Sequence, residues 1–196
     1  MFQVRFHGRG GQGAVTAAEL LSVAAFKEER FAQAFPSFGS ERTGAPVVAF
    51  CRIDDKDIRL REPVVEPDAL VVQDATLLHS VELFQGLATG GFVVLNTRRS
   101  LAELGCGEVA ARLPPGHVVT VGASELALEH VGRPLPNVPL LGALAALTGI
   151  VSIDAVASAI SDRFPPKLAA SNIAAARAAF AEVTRELSAP TQESRC

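Results

Sequence analysis

The chain has 196 residues, with 18 lysines and arginines against 21 aspartates and glutamates and a formal net charge of -3. Apolar residues make up 48% of it and charged residues 20%, which excludes a disordered chain and a generic nucleic-acid-binding surface. This length suffices for one domain with its own core, read here as residues 1–187 followed by a solvated tail, residues 188–196. Residues 1–6 carry no apolar targeting run. The most apolar stretch, residues 138–151, contains Gly142 and Gly149 and is shorter than the ~20 residues a membrane span needs. A cytoplasmic protein without a membrane span is expected. Cys51, Cys106 and Cys196 are isolated and the four histidines are scattered, so neither a disulfide framework nor a zinc or iron–sulfur site is indicated.

Residues 2–6, Phe-Gln-Val-Arg-Phe, alternate as a strand does and lead straight into Gly8-Arg9-Gly10-Gly11-Gln12-Gly13. A helix over residues 14–27 follows, apolar on most of its circumference, which buries it deep in the domain or against another chain. Residues 31–46 mix apolar residues, turn formers and hydroxyls, and read as a strand and then a shaped loop. Residues 47–53 read as a buried strand and residues 58–61 as its return in a hairpin across Asp54-Asp55. Short apolar runs follow at 69–73, 91–95 and 117–121, with helices over 76–87 and from Ser124 to about Val131. Residues 137–147, 153–160 and 167–187 have helical spacing.

Continuous apolar strands alternating with helices indicate an α/β architecture, a Rossmann-like, mostly parallel sheet with helices on both faces and a helical C-terminal part. In such sheets ligands bind beyond the carboxyl ends of the strands, so Gly8, Asp74, Asn96 and Gly122 are expected along one rim. Asp74 and Asn96 are candidate ligand contacts or caps of the helices and turns that follow.

Gly8-x-Gly10-x-x-Gly13, between a strand and a helix, matches a dinucleotide-binding fingerprint. Its glycines allow a tight turn and close approach of the backbone to a phosphate, while the N–H groups and dipole of the helix N-terminus attract an anion. Arg9 and Gln12 are potential further donors. An NAD site also wants an acid about 20 residues on, where this chain has Gln33 and Ser37; Glu41 is the nearest acid, and Arg42 adjoins it. A ligand with an additional phosphate, of NADP or coenzyme A type, fits that charge better. Nucleophile-elbow, P-loop and zincin motifs are absent. Cys51 reads as a small buried apolar residue, and the histidines as structural or surface groups.

Two segments go beyond a generic fingerprint: residues 8–21, GRGGQGAVTAAELL, and residues 34–47, AFPSFGSERTGAPV. With Arg52-Ile-Asp-Asp55, Glu66-Pro-Asp68, Val94-Leu-Asn-Thr97, the run from Asn137 to Leu144, and Asn172, they resemble the gamma subunit of the 2-oxoacid:ferredoxin oxidoreductases of pyruvate and 2-oxoisovalerate type. The resemblance covers about residues 2–180. It departs at Thr43, where many members carry a second basic residue, and near Phe180, where a glycine is expected.

The resemblance implies a subunit of a cytoplasmic complex that decarboxylates a 2-oxo acid oxidatively, passing the acyl group to coenzyme A and electrons to ferredoxin or a similar acceptor. It implies alpha, beta and delta-type partner subunits, which hold thiamine diphosphate, Mg and the 4Fe-4S clusters, and a coenzyme A-associated pocket on this chain. The cofactor-binding residues it suggests are Gly8, Arg9, Gly10, Gly11, Gln12 and Gly13 for the phosphates, with Ser37, Ser40, Arg42, Asp74 and Asn96 for the remaining contacts. No catalytic side chain and no metal ligand is assigned to this chain. Two alternatives stand beside it: a stand-alone NAD(P)-dependent dehydrogenase, and a non-catalytic nucleotide-binding or assembly module.

Overall fold

A computed structural model describes residues 1–37 and 44–189. Six strands form one sheet: β1 (Phe2–Arg9), β2 (Phe31–Pro36), β3 (Pro46–Asp54), β4 (Ala69–Val72), β5 (Phe92–Asn96) and β6 (Val118–Val121). Their order is β2-β3-β1-β4-β5-β6. The half β1-β4-β5-β6 is parallel, whereas β3 runs antiparallel to both β1 and β2. The helices are α1 (Ala14–Lys27), α2 (Gly107–Arg112), α3 (Ala123–Val131), α4 (Asn137–Thr148), α5 (Ile153–Arg163) and α6 (Pro166–Ser188).

The alternation of β1 places its apolar residues on one face and its polar residues on the other. Val4 and Phe6 are fully buried in the main core with Ala17, Leu21, Leu140, Leu144 and Ile160 from the helices. On the other face Val72 and Leu95 meet Leu77, Leu83, Leu101 and Leu104, from the two irregular connections before and after β5, whose regular pieces are a 3-10 turn, Ala75–His79, and the short α2. The sheet is thus mostly parallel and helix-flanked as expected, with nearly all the helical mass on one side.

Two sequence expectations fail on this second face, where buried arginines hold the connecting chain and both edges of β3 are already paired. The helix expected over 76–87 is only the 3-10 turn; beyond it Arg5 holds the carbonyls of Leu83 and Gln85 at 2.8 and 2.6 Å, the first of which a helix would have used internally. The return strand expected at 58–61 is absent. Arg52, over the Phe35 ring, instead donates to the Glu62 carbonyl at 2.6 Å, and β3 finds its partners in β1 and β2. An arginine serves here because one planar fork satisfies several main-chain oxygens at once.

Helix α1 buries Ala14, Ala17, Ala18, Leu20, Leu21, Ala24 and Ala25, yet Phe26 remains 74% exposed. It is deep in the domain on one side and carries apolar residues to the surface on the other. In α4 all but two residues are buried, and a side chain at Gly142 would run into the carbonyl of Ala176 on α6, so these helices pack backbone to backbone. Phe180, the departure noted in α6, packs against the main core.

Candidate functional site: the glycine loop and the strand rim

The chain leaves β1, forms α1, crosses to β2 at one edge and returns through β3 before stepping over β1 to β4. The strand order therefore switches between β1 and β4, where an open α/β sheet has its crevice. Gly8 lies at the carboxyl end of β1, Asp74 just past β4, Asn96 at the end of β5 and Gly122 just past β6. The predicted rim exists.

The loop is held by its own polar side chains. The backbone N–H of Arg9 donates to Gln12 Oε1 at 2.8 Å, and Gln12 Nε2 donates to Asp74 Oδ2 at 3.0 Å. Arg9 Nε reaches the same carboxylate at 3.0 Å, while its two terminal nitrogens donate to the carbonyl of Gly44 and the hydroxyl of Thr76. Asp74 also caps the following 3-10 turn through the N–H of Thr76. Burial opposes ionisation of Asp74, but hydrogen bonds from Thr76 and Gln12 and the charge of Arg9 outweigh it and hold the carboxyl below its ordinary value. The side chains of Arg9, Gln12 and Asp74 thus brace the loop.

The N–H groups of Gly10 and Gln12 donate to the carbonyls of Ala45 and Arg9, and the backbone that stays open is that around Gly11 and Gly13. Gly11 has φ 97° and Gly13, at the N-cap of α1, φ 78°, conformations that other residues adopt only at a cost. No side chain caps α1 and no acid stands in its first turn. The first internal bond runs from Ala17 N–H to the carbonyl of Gly13, so the N–H groups of Ala14, Val15 and Thr16 have no helical acceptor. The arrangement suits an anion. A shallow depression of about 250 Å³ runs from here along Arg9 and Gly10 toward Val47 on β3.

Asn96 is engaged by protein: Nδ2 donates to the carbonyl of Gln73 and to Ser124 Oγ, and Oδ1 accepts the N–H of Ser124 at the start of α3. Ser37 is exposed and donates its N–H to the carbonyl of Val48, beside a concavity of about 390 Å³ shared with Arg5 and His7. Ser40 and Arg42 lie outside the described residues. Burial, and then the charge of Arg5, lower the pKa of His7 to about 4, so the imidazole is neutral near pH 7. Burial pushes the Cys51 thiol up, which removes it as a nucleophile. No group of three or more metal-ligating side chains occurs among the described residues, and no helix there is long and apolar enough to cross a membrane.

Sequence reasoning missed Gln73, a carboxamide 1% exposed that lies beneath the loop and leaves no room for a side chain at Gly8. Its only trace in the sequence is a polar residue closing an apolar run. It also missed Arg133 and Arg163, which stand near the α1 N-terminus but come from the α3–α4 turn and the end of α5. The NAD alternative, already disfavoured by the sequence, meets a geometric objection as well. β3 is inserted between β1 and β2, so the end of β2, where a ribose-binding acid would sit, is displaced by roughly 5 Å, one strand spacing.

A profile of the family described as pyruvate ferredoxin/flavodoxin oxidoreductase matches residues 3–182. The chain is 49% identical over 186 residues to the pyruvate synthase subunit PorC of Methanocaldococcus jannaschii, covering 95% of this chain and 99% of that protein. It is 49% identical over 180 residues to the common gamma subunit of the pyruvate/ketoisovalerate oxidoreductases of Thermococcus litoralis, covering 92% and 96%. The crystal structure of pyruvate oxidoreductase subunit PORC from Thermotoga maritima matches with a TM-score of 0.77 at 37% identity, covering 92% of this chain and 95% of that one. Fold, loop and these full-length likenesses define a gamma-type subunit of a 2-oxoacid:ferredoxin oxidoreductase. The chain belongs to the pyruvate ferredoxin/flavodoxin oxidoreductase family.

Proposed function

We propose that this chain supplies the coenzyme A-associated wall of a complex that oxidatively decarboxylates a 2-oxo acid, forming acyl-coenzyme A and carbon dioxide and passing two electrons to ferredoxin or a similar acceptor. The observation that carries the reading is the uncapped, acid-free N-terminus of α1 behind Gly11 and Gly13, which matches the pyrophosphate of coenzyme A. In this reading the backbone at Gly11 and Gly13 meets the phosphates, Gly10, whose N–H is bound to the Ala45 carbonyl, allows their close approach, Gly8 lets the loop seat on Gln73, and Arg9, Gln12 and Asp74 hold its shape. Ser37, Ser40 and Arg42 supply the remaining contacts, and Asn96 fixes the adjacent rim. A relative 17% identical to this chain was solved with coenzyme A bound, a likeness that extends to the fold alone.

Residues 1–187 act as one domain and the tail takes no part. Alpha, beta and delta-type subunits hold thiamine diphosphate with Mg and the 4Fe-4S clusters, which supply the carbanion and electron-transfer chemistry. The isolated cytoplasmic chain is inactive in this reading, with Asp74 braced by Arg9 and Gln12 and His7 buried among the described residues.

The test is anaerobic purification through a tag on this chain, followed by assay of the complex carrying Gly11→Val. Co-purification of thiamine- and cluster-bearing chains, with a KM for coenzyme A raised at least tenfold in the variant, is expected. An unaltered coenzyme A dependence in an intact variant complex would refute the site.

A further inference from the structure

At one margin of the sheet β2 pairs with β3, and among the described residues no strand pairs with its other edge. The ladder fixes which main-chain groups face that edge. Ser37 donates its N–H to the carbonyl of Val48, and inward and outward groups alternate along an antiparallel strand. Phe35, Gln33 and Phe31 therefore bond to β3, while the N–H and carbonyl groups of Ala32 and Ala34 point away from the sheet.

An open edge is ordinarily blunted by charged side chains, by a bulge or by proline. Residues 31–36, Phe-Ala-Gln-Ala-Phe-Pro, carry no charge, and only Pro36, at the end, removes a donor. Phe31 is 49% exposed on the same face as Phe35, whose ring already lies 5.2 Å from that of Phe50. Between them stands Gln33, half-buried, with a carboxamide oxygen that accepts no hydrogen bond among the described residues.

The run Phe31-Ala-Gln-Ala-Phe35 reads the same in both directions. An antiparallel copy of it, related by a two-fold axis through Gln33, sets Phe31 opposite Phe35 of the second copy and Ala32 opposite its Ala34. In that register the outward groups of Ala32 and Ala34 exchange both their main-chain hydrogen bonds with those of the second copy. The neighbouring registers set a phenylalanine against Gln33, and a slip by one residue turns the aromatic face over. With no charge on the edge, nothing is repelled by its own image across the axis.

We propose that β2 is an interface at which two copies of this chain associate edge to edge, in one continuous sheet with two-fold symmetry about Gln33. Isologous pairing of this kind is the commonest symmetry of homo-oligomers. The aromatic row of Phe50 and Phe35 continues into Phe31 of the second copy, and the two Gln33 carboxamides meet at the axis. Strands β1 and β2 run in the same direction, both antiparallel to β3. The two-fold therefore turns the two carboxyl rims to opposite sides and leaves both glycine loops uncovered. A strand from a different chain would have no need of the palindromic register.

Cross-linking in the assembled complex and sedimentation equilibrium of the full chain test this pairing. Residues opposed in a non-hydrogen-bonded antiparallel pair have Cβ atoms about 4.5–5.5 Å apart, near disulfide reach. Gln33→Cys is thus expected to give, on mild oxidation of the complex, a disulfide-linked dimer of this chain that the unsubstituted complex does not form. A single strand edge buries less than the roughly 800 Å² per partner of a standard interface, so the free chain is expected to associate only weakly. Gln33→Glu and Gln33→Lys each set like charges against one another and are expected to weaken that association about fivefold. Mixing the two variants should restore it, which shows that both are folded and that residue 33 faces itself. Absence of the cross-link from the complex overturns the proposal, as does cross-linking of Gln33→Cys to a different chain. A dimer of the free chain indifferent to both charges also overturns it, because its interface would lie elsewhere. The outcome is independent of the coenzyme A dependence of the Gly11→Val complex.

Discussion

At Gly13 two constraints coincide: φ is 78°, and a Cβ would come within 2.5 Å of Asn137 Nδ2. Gly11 has only the first, since a Cβ there would meet open space. Gly11→Ala is therefore expected to destabilise the chain by about 1 kcal/mol and Gly13→Ala by about 2–3 kcal/mol. Urea unfolding of both variants checks this ordering, and a reversed order would contradict the described loop. His7 gives a pH prediction of definite sign. Its pKa is about 4 in the folded chain against 6.5 ordinarily, so from pH 6.5 down to about 4 only the unfolded state binds the proton. Stability then falls as the pH is lowered through that window, by up to roughly 3 kcal/mol, and is unaffected by this group above it. His7→Gln should flatten that part of the melting-temperature profile; parallel profiles for both proteins would show that His7 is not buried neutral.

Among the elements, the α4–α6 pair and the arginine-held face make opposite demands. Gly142 lets α4 lie against the main chain of α6 at Ala176, so Gly142→Ala is expected to cost about 2–4 kcal/mol through overpacking. Gly149→Ala, at the C-cap of α4 with φ 62° and open space around it, should cost only about 1 kcal/mol. Denaturant midpoints of the two variants separate these effects. On the other face Arg5→Met removes the donor for the Leu83 and Gln85 carbonyls. Faster amide exchange over residues 80–88 is expected there, with the helices unaffected. Exchange rising uniformly would mean that Arg5 acts on global stability and not as a local staple.

For the molecule as a whole, the rim presents backbone groups and braced side chains among the described residues, with Asp74 held by Arg9 and Gln12 and His7 buried. Under the proposed function such a surface binds and orients, and the chemistry belongs to the partner chains. The purified chain is expected to show no 2-oxo acid oxidation with an artificial electron acceptor, and turnover is expected to require the partner chains. Turnover by the chain alone would return the stand-alone dehydrogenase to consideration.

Much of this was legible in the sequence because it is local. The strand into the glycines, α1 over Ala14–Lys27 and the terminal helices follow from apolar periodicity and turn chemistry. Gly8, Asp74, Asn96 and Gly122 fall on one rim because parallel strands share a carboxyl edge. The insertion of β3 between β1 and β2, the irregular path of residues 75–91 and the meeting of Asn137, Asn172, Arg133 and Arg163 were not legible. These depend on which distant carbonyl an arginine reaches and which turns converge after the helices pack. Sequence alone thus determined the strand–glycine–helix unit and the subunit class, through short-range pattern and resemblance; tertiary structure decided what surrounds the helix end, because those contacts join residues more than a hundred positions apart.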